Sequence, residues 1–309
     1  MKKIVILGSD SSHALSFAKL VNLEDGTTGK SLFPDCRIIG IYGEDPEQTK
    51  RVAEEGRISY IARKPDELIE IADAAMVVFR RGDFHARYAI PFIEAGIPVW
   101  IDKPFTNDIS DALAIIKSAK KNNLPLTGGS GCRKIKDVVI LKDIVRANQV
   151  GNLNSAVITF RASLNDEYGG LGFYGSHLIE IAGEVFGYDI RSVTAKAIND
   201  NVVAILNYKT YHVILNFISN TRKYGATLFG DKDIIHRNIG LGDYYESAFS
   251  EFYSFLMQQD ENSRKDESVR LLNSVIVLDA IVKSIEENRE VIIDKGTVLL
   301  SANKSSDCV

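Results

Sequence analysis

Between Lys3 and Thr127 the chain alternates short apolar runs with amphipathic stretches. The runs Lys3 to Leu7, Arg37 to Tyr42, Ile58 to Ile61, Ala74 to Phe79, Ile97 to Ile101 and Leu124 to Thr127 have the length and composition of strands. Ala74 to Phe79 is unbroken and bounded by Asp73 and Arg80, as suits a strand buried on both faces of a parallel sheet. Helical periodicity fills the intervals: from about Leu15 to Leu23, Pro46 to Glu55, Pro65 to Ile71, Phe84 to Ala95 with Pro91 as the place for a kink, and Asp108 to Asn122. In the last of these, Ile109, Leu113, Ile116 and Ala119 share one face. Strand and helix in strict alternation predict a doubly wound parallel sheet.

The alternation stops near Gly128-Gly129-Ser130-Gly131. Beyond it, Leu153 to Leu164, Arg191 to Ile198, Val202 to Tyr208, His212 to Ser219, Ala226 to Phe229 and Ile234 to Ile239 read as strands with few helices among them, and Tyr244 to Met257 and Glu267 to Glu287 as long helices. The predicted fold class is α/β: an N-terminal Rossmann-like doubly wound parallel sheet, residues 1–128, and a C-terminal α+β domain with a mostly antiparallel sheet, residues 129–309. In the second sheet Val202, Ala204 and Leu206 alternate with Val203, Ile205 and Asn207, so both faces carry apolar side chains. A face left uncovered predicts a homodimer or homotetramer through that sheet.

Composition narrows the function. A chain of 309 residues with 45% hydrophobic and 25% charged positions is an ordinary globular protein, and a formal charge of -4 lacks the basic footprint of a nucleic-acid or anionic-membrane partner. The first apolar run ends at Gly8, too soon for a signal peptide or a membrane span, which sets a cytoplasmic expectation. Cys36, Cys132 and Cys308 have no metal-like spacing, so neither a disulfide framework nor a metal site is expected.

Candidate chemistry gathers at the predicted strand ends. The first strand opens onto Gly8-Ser9-Asp10-Ser11-Ser12-His13, a strand-turn-helix of the kind that cradles a pyrophosphate. Gly8 suits the tight turn, but Asp10 and His13 stand where the second and third glycines of the dinucleotide fingerprint fall. Gly26-Thr27-Thr28-Gly29-Lys30-Ser31 looks like the end of a P-loop; its leading glycine falls on Glu24 and it follows a helix, so it reads as a polar loop. After the second strand Gly43 holds the place of the ribose-binding acid, with Glu44 and Asp45 just beyond. With no arginine in that turn, NAD is favoured over NADP. Asp102-Lys103-Pro104 follows the strand that ends at Ile101; ligands bind at such carboxyl ends, and the proline restrains Lys103 to extended backbone. Farther on, His177 lies in the first turns of a helix that starts after a glycine-rich stretch.

These features together resemble the Gfo/Idh/MocA family of nicotinamide-dependent sugar and inositol dehydrogenases. The resemblance covers the opening strand-turn-helix, Asp73 to Phe105, Gly169 to Gly187, and the last helix with Asn288-Arg289-Glu290 before Val291-Ile292. Asp102-Lys103-Pro104 looks like the family's Glu-Lys-Pro motif with a shorter acid, His85 falls on a histidine that begins the preceding helix, His177 matches the catalytic histidine, and Glu180 stands where an aspartate is usual. The resemblance implies NAD or NADP held by Gly8, Ser9, Asp10, Ser11, Ser12, His13, Glu44, Arg80, His85, Asp102, Lys103 and Pro104. It implies catalysis by Lys103 and His177 on a secondary alcohol of a sugar, polyol or sugar acid, with Arg133, Arg161, Phe173 and Tyr174 also lining the substrate site. The family's third catalytic residue, an aspartate four positions before the histidine, is Phe173 here, for which Asp166, Glu167 or Tyr174 are candidate substitutes. The alternative is an inactive member that binds a metabolite or partner through the same cleft. Arg80, Arg81, Arg133 and Arg161 add an expectation of an anionic small-molecule ligand.

Overall fold

The computed structural model describes residues 1–26, 28–258 and 264–294, so Thr27 and Cys308 lie outside the described residues. The chain divides into two compact units, Met1–Gly131 with Asp243–Leu271, and Cys132–Gly242 with the described residues from Leu272.

The first unit is built on β1 (Lys2–Leu7), β2 (Cys36–Tyr42), β3 (Tyr60–Ile61), β4 (Ala74–Val77), β5 (Val99–Ile101) and β6 (Thr127–Gly128), with helices α1 (Ser12–Asn22), α2 (Pro46–Glu55), α3 (His85–Glu94) and α4 (Ile109–Lys121) between them. The strand order is β3-β2-β1-β4-β5-β6 and every pairing is parallel. Chain order reverses between β1 and β4, the switch point at which such sheets bind ligands. Ile4 to Leu7 and Ala74 to Val77 are fully buried, which is why these strands read as unbroken apolar runs rather than alternating ones. The predicted helix at Pro65 to Ile71 is a short 3-10 turn, Pro65–Leu68, in which only Leu68 is buried. One inward side chain cannot anchor a longer amphipathic helix.

The second unit contains α5 (Lys136–Arg146), β7 (Leu153–Phe160), α6 (Leu171–Phe186), β8 (Ser192–Ile198), β9 (Asn201–Asn207), β10 (His212–Phe217), β11 (Tyr224–Gly230) and β12 (Ile234–Ile239). Helix α5 has no counterpart among the expected elements: the run Val138 to Leu141 does not distinguish strand from helix, although Val138, Leu141 and Ile144 form its buried face. The sheet is antiparallel except where β7 and β10 run parallel. Ala156, Ile158, Val202, Ala204, Leu206, Val213, Leu215 and Phe217 fill its buried face, against which α6 packs. A Cβ on Gly175 of α6 would come within 3.2 Å of the Phe217 ring, so glycine permits that approach.

Helix α7 (Tyr244–Met257) belongs to the first unit although its sequence follows the strands of the second. Its Phe249 and Phe252 enter the core formed by Ile4, Ile6, Phe17, Ile38 and Trp100, with the Phe249 ring 4.7 Å from Phe33. Helix α8 (Ser268–Glu287) leads to β13 (Val291–Ile292), which pairs with β8. No described helix is long and apolar enough to cross a membrane.

Candidate active site

Gly8 closes β1 with φ +109°, and a Cβ there would fall 2.5 Å from the Phe79 nitrogen, so only glycine lets the ends of β1 and β4 come this close. The next residue, Ser9, is buried, and its hydroxyl lies 2.8 Å from that of Thr49 on α2. This hydroxyl pair explains Gly43: a Cβ on residue 43 would meet Ser9 Oγ at 2.0 Å. The acid expected at the end of β2 is therefore displaced by one position to Glu44. Glu44 accepts a hydrogen bond from the Tyr88 hydroxyl at 2.8 Å, with the Arg87 guanidinium 4.0 Å away. Burial, then Glu44 and Tyr42 beside it, push the Tyr88 phenol up. Asp45 caps α2 by accepting from the amides of Glu47 and Gln48.

The two departures from the glycine pattern each have a partner. The Asp10 carboxylate accepts from the Arg80 amide, at 3.3 and 3.2 Å to its two oxygens, and so spans the switch point between the loops after β1 and β4. Burial raises the Asp10 carboxyl above its usual range, and the Arg80 amide opposes that rise. Ser11 caps α1, accepting from the His13 amide at 3.2 Å, and the first turn of α1 contains no acid. Nδ1 of His13 hydrogen-bonds to the buried Asp102 carboxylate, whose other oxygen accepts from the Lys103 amide at 2.7 Å. Burial works to raise the Asp102 carboxyl, but the His13 contact and the Lys103 charge outweigh it and hold the group below the usual range. The His13 ring is enclosed by Phe17, Tyr244 and Tyr245.

Lys103 is 4% exposed and follows β5 directly after Asp102; the Lys103–Pro104 peptide is cis. His85 is fully buried, with Nε2 2.9 Å from the Phe79 carbonyl and Nδ1 3.2 Å from that of Phe105, so it ties the loop after β4 to the loop after β5. Arg81 donates from Nε and Nη2, one edge of its guanidinium, to the two oxygens of Asp83, at 3.1 and 2.7 Å. The structure thus gathers Gly8 to His13, Glu44, Arg80, His85, Asp102 and Lys103 at the carboxyl end of the parallel sheet. Thr49, Phe79 and Tyr88 join them there, and the linear sequence carries no motif that marks these three.

In the second unit His177 lies on α6, 5% exposed, with its ring 5.7 Å from Phe160 and 6.1 Å from Tyr174. Phe173 is turned into aromatic contacts with Tyr168 and Tyr174 at 5.2 and 4.6 Å. Arg161 places its guanidinium carbon 5.1 Å above the Tyr174 ring. Of the candidate substitutes for the missing aspartate, Asp166 accepts from the Tyr168 amide at 3.0 Å and serves the turn before α6. Arg133 is 1% exposed and lies 3.9 Å from Glu180 and 3.7 Å from Glu184, so α6 already supplies its counter-charge. Burial works to raise the Glu184 carboxyl, but Lys142, Lys134 and Arg133 outweigh it and hold the group below its usual range.

Residues 2–130 match the model of the oxidoreductase family with an NAD-binding Rossmann fold, Gfo/Idh/MocA. Glucose-6-phosphate 3-dehydrogenase of Bacillus subtilis is 26% identical over 223 residues, covering 65% of this chain and 59% of that relative. The chain spans between about half and three-fifths of the length of the curated relatives it matches, 51% in the case of oxidoreductase P35 of Formosa agariphila. Solved structures share the fold along nearly the whole chain. A probable dehydrogenase from Thermotoga maritima superposes with a TM-score of 0.79 at 18% identity, covering 94% of this chain and 98% of that one. For a putative myo-inositol dehydrogenase from Sinorhizobium meliloti the TM-score is 0.78 at 18% identity, with 95% and 100% covered. Both units of the chain therefore share the fold of these solved structures.

Proposed function

We propose that the protein is an NAD-dependent dehydrogenase acting on a secondary alcohol of a sugar, polyol or sugar acid. The observation that carries this reading is the position of Lys103, a buried amine at the carboxyl end of β5 in a parallel sheet whose order reverses between β1 and β4. The cofactor fits the residues present. The N-terminus of α1, without an acid in its first turn, and the hydroxyls of Ser11 and Ser12 offer donors to a pyrophosphate, while the Ser9 hydroxyl is given to Thr49, whose own hydrogen goes to the Asp45 carbonyl. Glu44 supplies a carboxylate for ribose hydroxyls, which favours NAD over a cofactor with a 2′-phosphate. Asp10 opposes phosphate, and its bond from the Arg80 amide tempers that charge. Bound NAD supplies the hydride acceptor.

The chain's own residues supply the rest. Lys103 holds the alcohol oxygen and stabilises the negative charge that develops on it. His177 takes the hydroxyl proton, since imidazole changes charge near neutral pH. Phe173 has no polar atom to share that task. Calorimetry with NAD and NADP, combined with NADH formation on a panel of sugars and polyols, tests the proposal. Lys103→Met should lower turnover by roughly a hundredfold or more while NAD still binds. His177→Ala should do the same and lose the neutral limb of the pH profile. Failure of both cofactors to bind, or undiminished turnover in Lys103→Met, rejects the proposal.

A further inference from the structure

The arginines that suggest an anionic ligand differ in their surroundings. Arg81 is bidentate with Asp83, and Arg133 sits between Glu180 and Glu184. Arg80 gives its main-chain amide to Asp10, and its side-chain charge acts on the same carboxylate. Arg161 differs from all three. Among the described residues no carboxylate lies at ion-pair distance from it, and its guanidinium lies over the ring of Tyr174. A ring face attracts a cation but offers no planar pair of acceptors, so the forked N–H donors of the guanidinium are not matched by that contact.

The site around it is built from residues that also surround His177. Arg161 follows Phe160 at the end of β7; Phe160 contacts the imidazole on one side and stacks on Tyr224 at 4.3 Å on the other. Tyr174, half-buried beneath the guanidinium, lies 6.1 Å from the same imidazole. Burial raises the Tyr224 phenol while the Arg161 charge opposes it, which places that charge within electrostatic reach of a second phenol. The forked N–H edge of a half-buried guanidinium with no carboxylate beside it matches two oxygens of a carboxylate or a phosphate.

We infer that Arg161 sets substrate specificity by binding a carboxylate or phosphate carried on the sugar or polyol, and so positions the reacting alcohol at His177. The inference rests on the dehydrogenase reading for the identity of the alcohol, whereas the anion contact is a binding property measured without turnover. The test is calorimetry of the full chain in the presence of NAD, with glucose, gluconate and glucose 6-phosphate, and with inositol and inositol phosphate, run beside NADH formation. The wild-type chain should bind an acidic member of a set more tightly than the neutral one, and the stronger of gluconate and glucose 6-phosphate identifies the anion. Arg161→Met should lower affinity for that acid by about tenfold to a hundredfold and leave the neutral probe unchanged, as loss of a charge-assisted hydrogen bond requires. Arg161→Lys, which keeps the charge without the fork, should fall between and guards against a folding defect. No acidic probe binding, equal affinity for acid and neutral members, or full acid affinity in Arg161→Met overturns the inference. Acid binding that Arg161→Met removes, without NADH formation, upholds it and rejects the dehydrogenase reading. NADH formation by both proteins together with full acid affinity in Arg161→Met does the reverse.

Discussion

Asp10 and His13 are individually poor choices for a phosphate-binding loop, and each is tolerated because another part of the chain satisfies it. Asp10 receives the Arg80 amide from 70 positions away, and His13 meets Asp102 from 89 positions away. The departures from the glycine pattern are visible in sequence, but their partners are not. Only the pairing of β1 with β4, and of β4 with β5, brings these loops together. Asp10→Asn retains an oxygen that accepts from Arg80 while removing the charge. It should tighten NAD binding by about fivefold to tenfold, since a like charge a few ångströms from a phosphate costs roughly 1 kcal/mol even in water. Calorimetry checks this, and an unchanged dissociation constant would show that Asp10 lies out of reach of the pyrophosphate.

At the scale of elements, charge joins α5 to α6. Glu184 on α6 meets Lys142 on α5, together with Lys134 and Arg133 from the turn that precedes it. Its carboxyl is held below its ordinary value, so ionised Glu184 stabilises the fold above the unfolded-state value near 4.5, and that stabilisation is lost as pH falls through the depressed folded-state value. Glu184→Gln should therefore cost about 1 to 2 kcal/mol at neutral pH, because it removes the counter-charge of Lys142 and Lys134 and leaves buried Arg133 with Glu180 alone. The difference from wild type should shrink in acid, where Glu184 itself is protonated. Urea unfolding at neutral pH and below pH 4 or so reads both effects, and a difference that stays constant with pH would remove Glu184 from the pairing. The apolar periodicity of α6 is plain in sequence, whereas nothing along the chain links Glu180 and Glu184 on it to Arg133.

For the whole molecule the open question is assembly. Ile205 pairs with Ile214 across β9 and β10, and Ile214 is level with Val157 on β7, giving an apolar row on the sheet face opposite the core. Thr194 and Thr227 flank the row, and its three apolar members are half-buried. An apolar centre with a polar border is the anatomy of a subunit contact, so the chain should sediment as a dimer or tetramer at micromolar concentration and Ile214→Lys should reduce it to a monomer. A wild-type monomer would exclude that role for the face. The alternation of buried runs and amphipathic helices up to Thr127, the later succession of strands and the position of Lys103 at a strand end were all determined by the sequence alone. Each is a local consequence of which side chains must leave water. Tertiary structure decided the placement of α7 in the first core, the partners of Asp10 and His13, and which arginines already have a carboxylate. Those outcomes depend on contacts between distant segments, which periodicity along one segment does not encode.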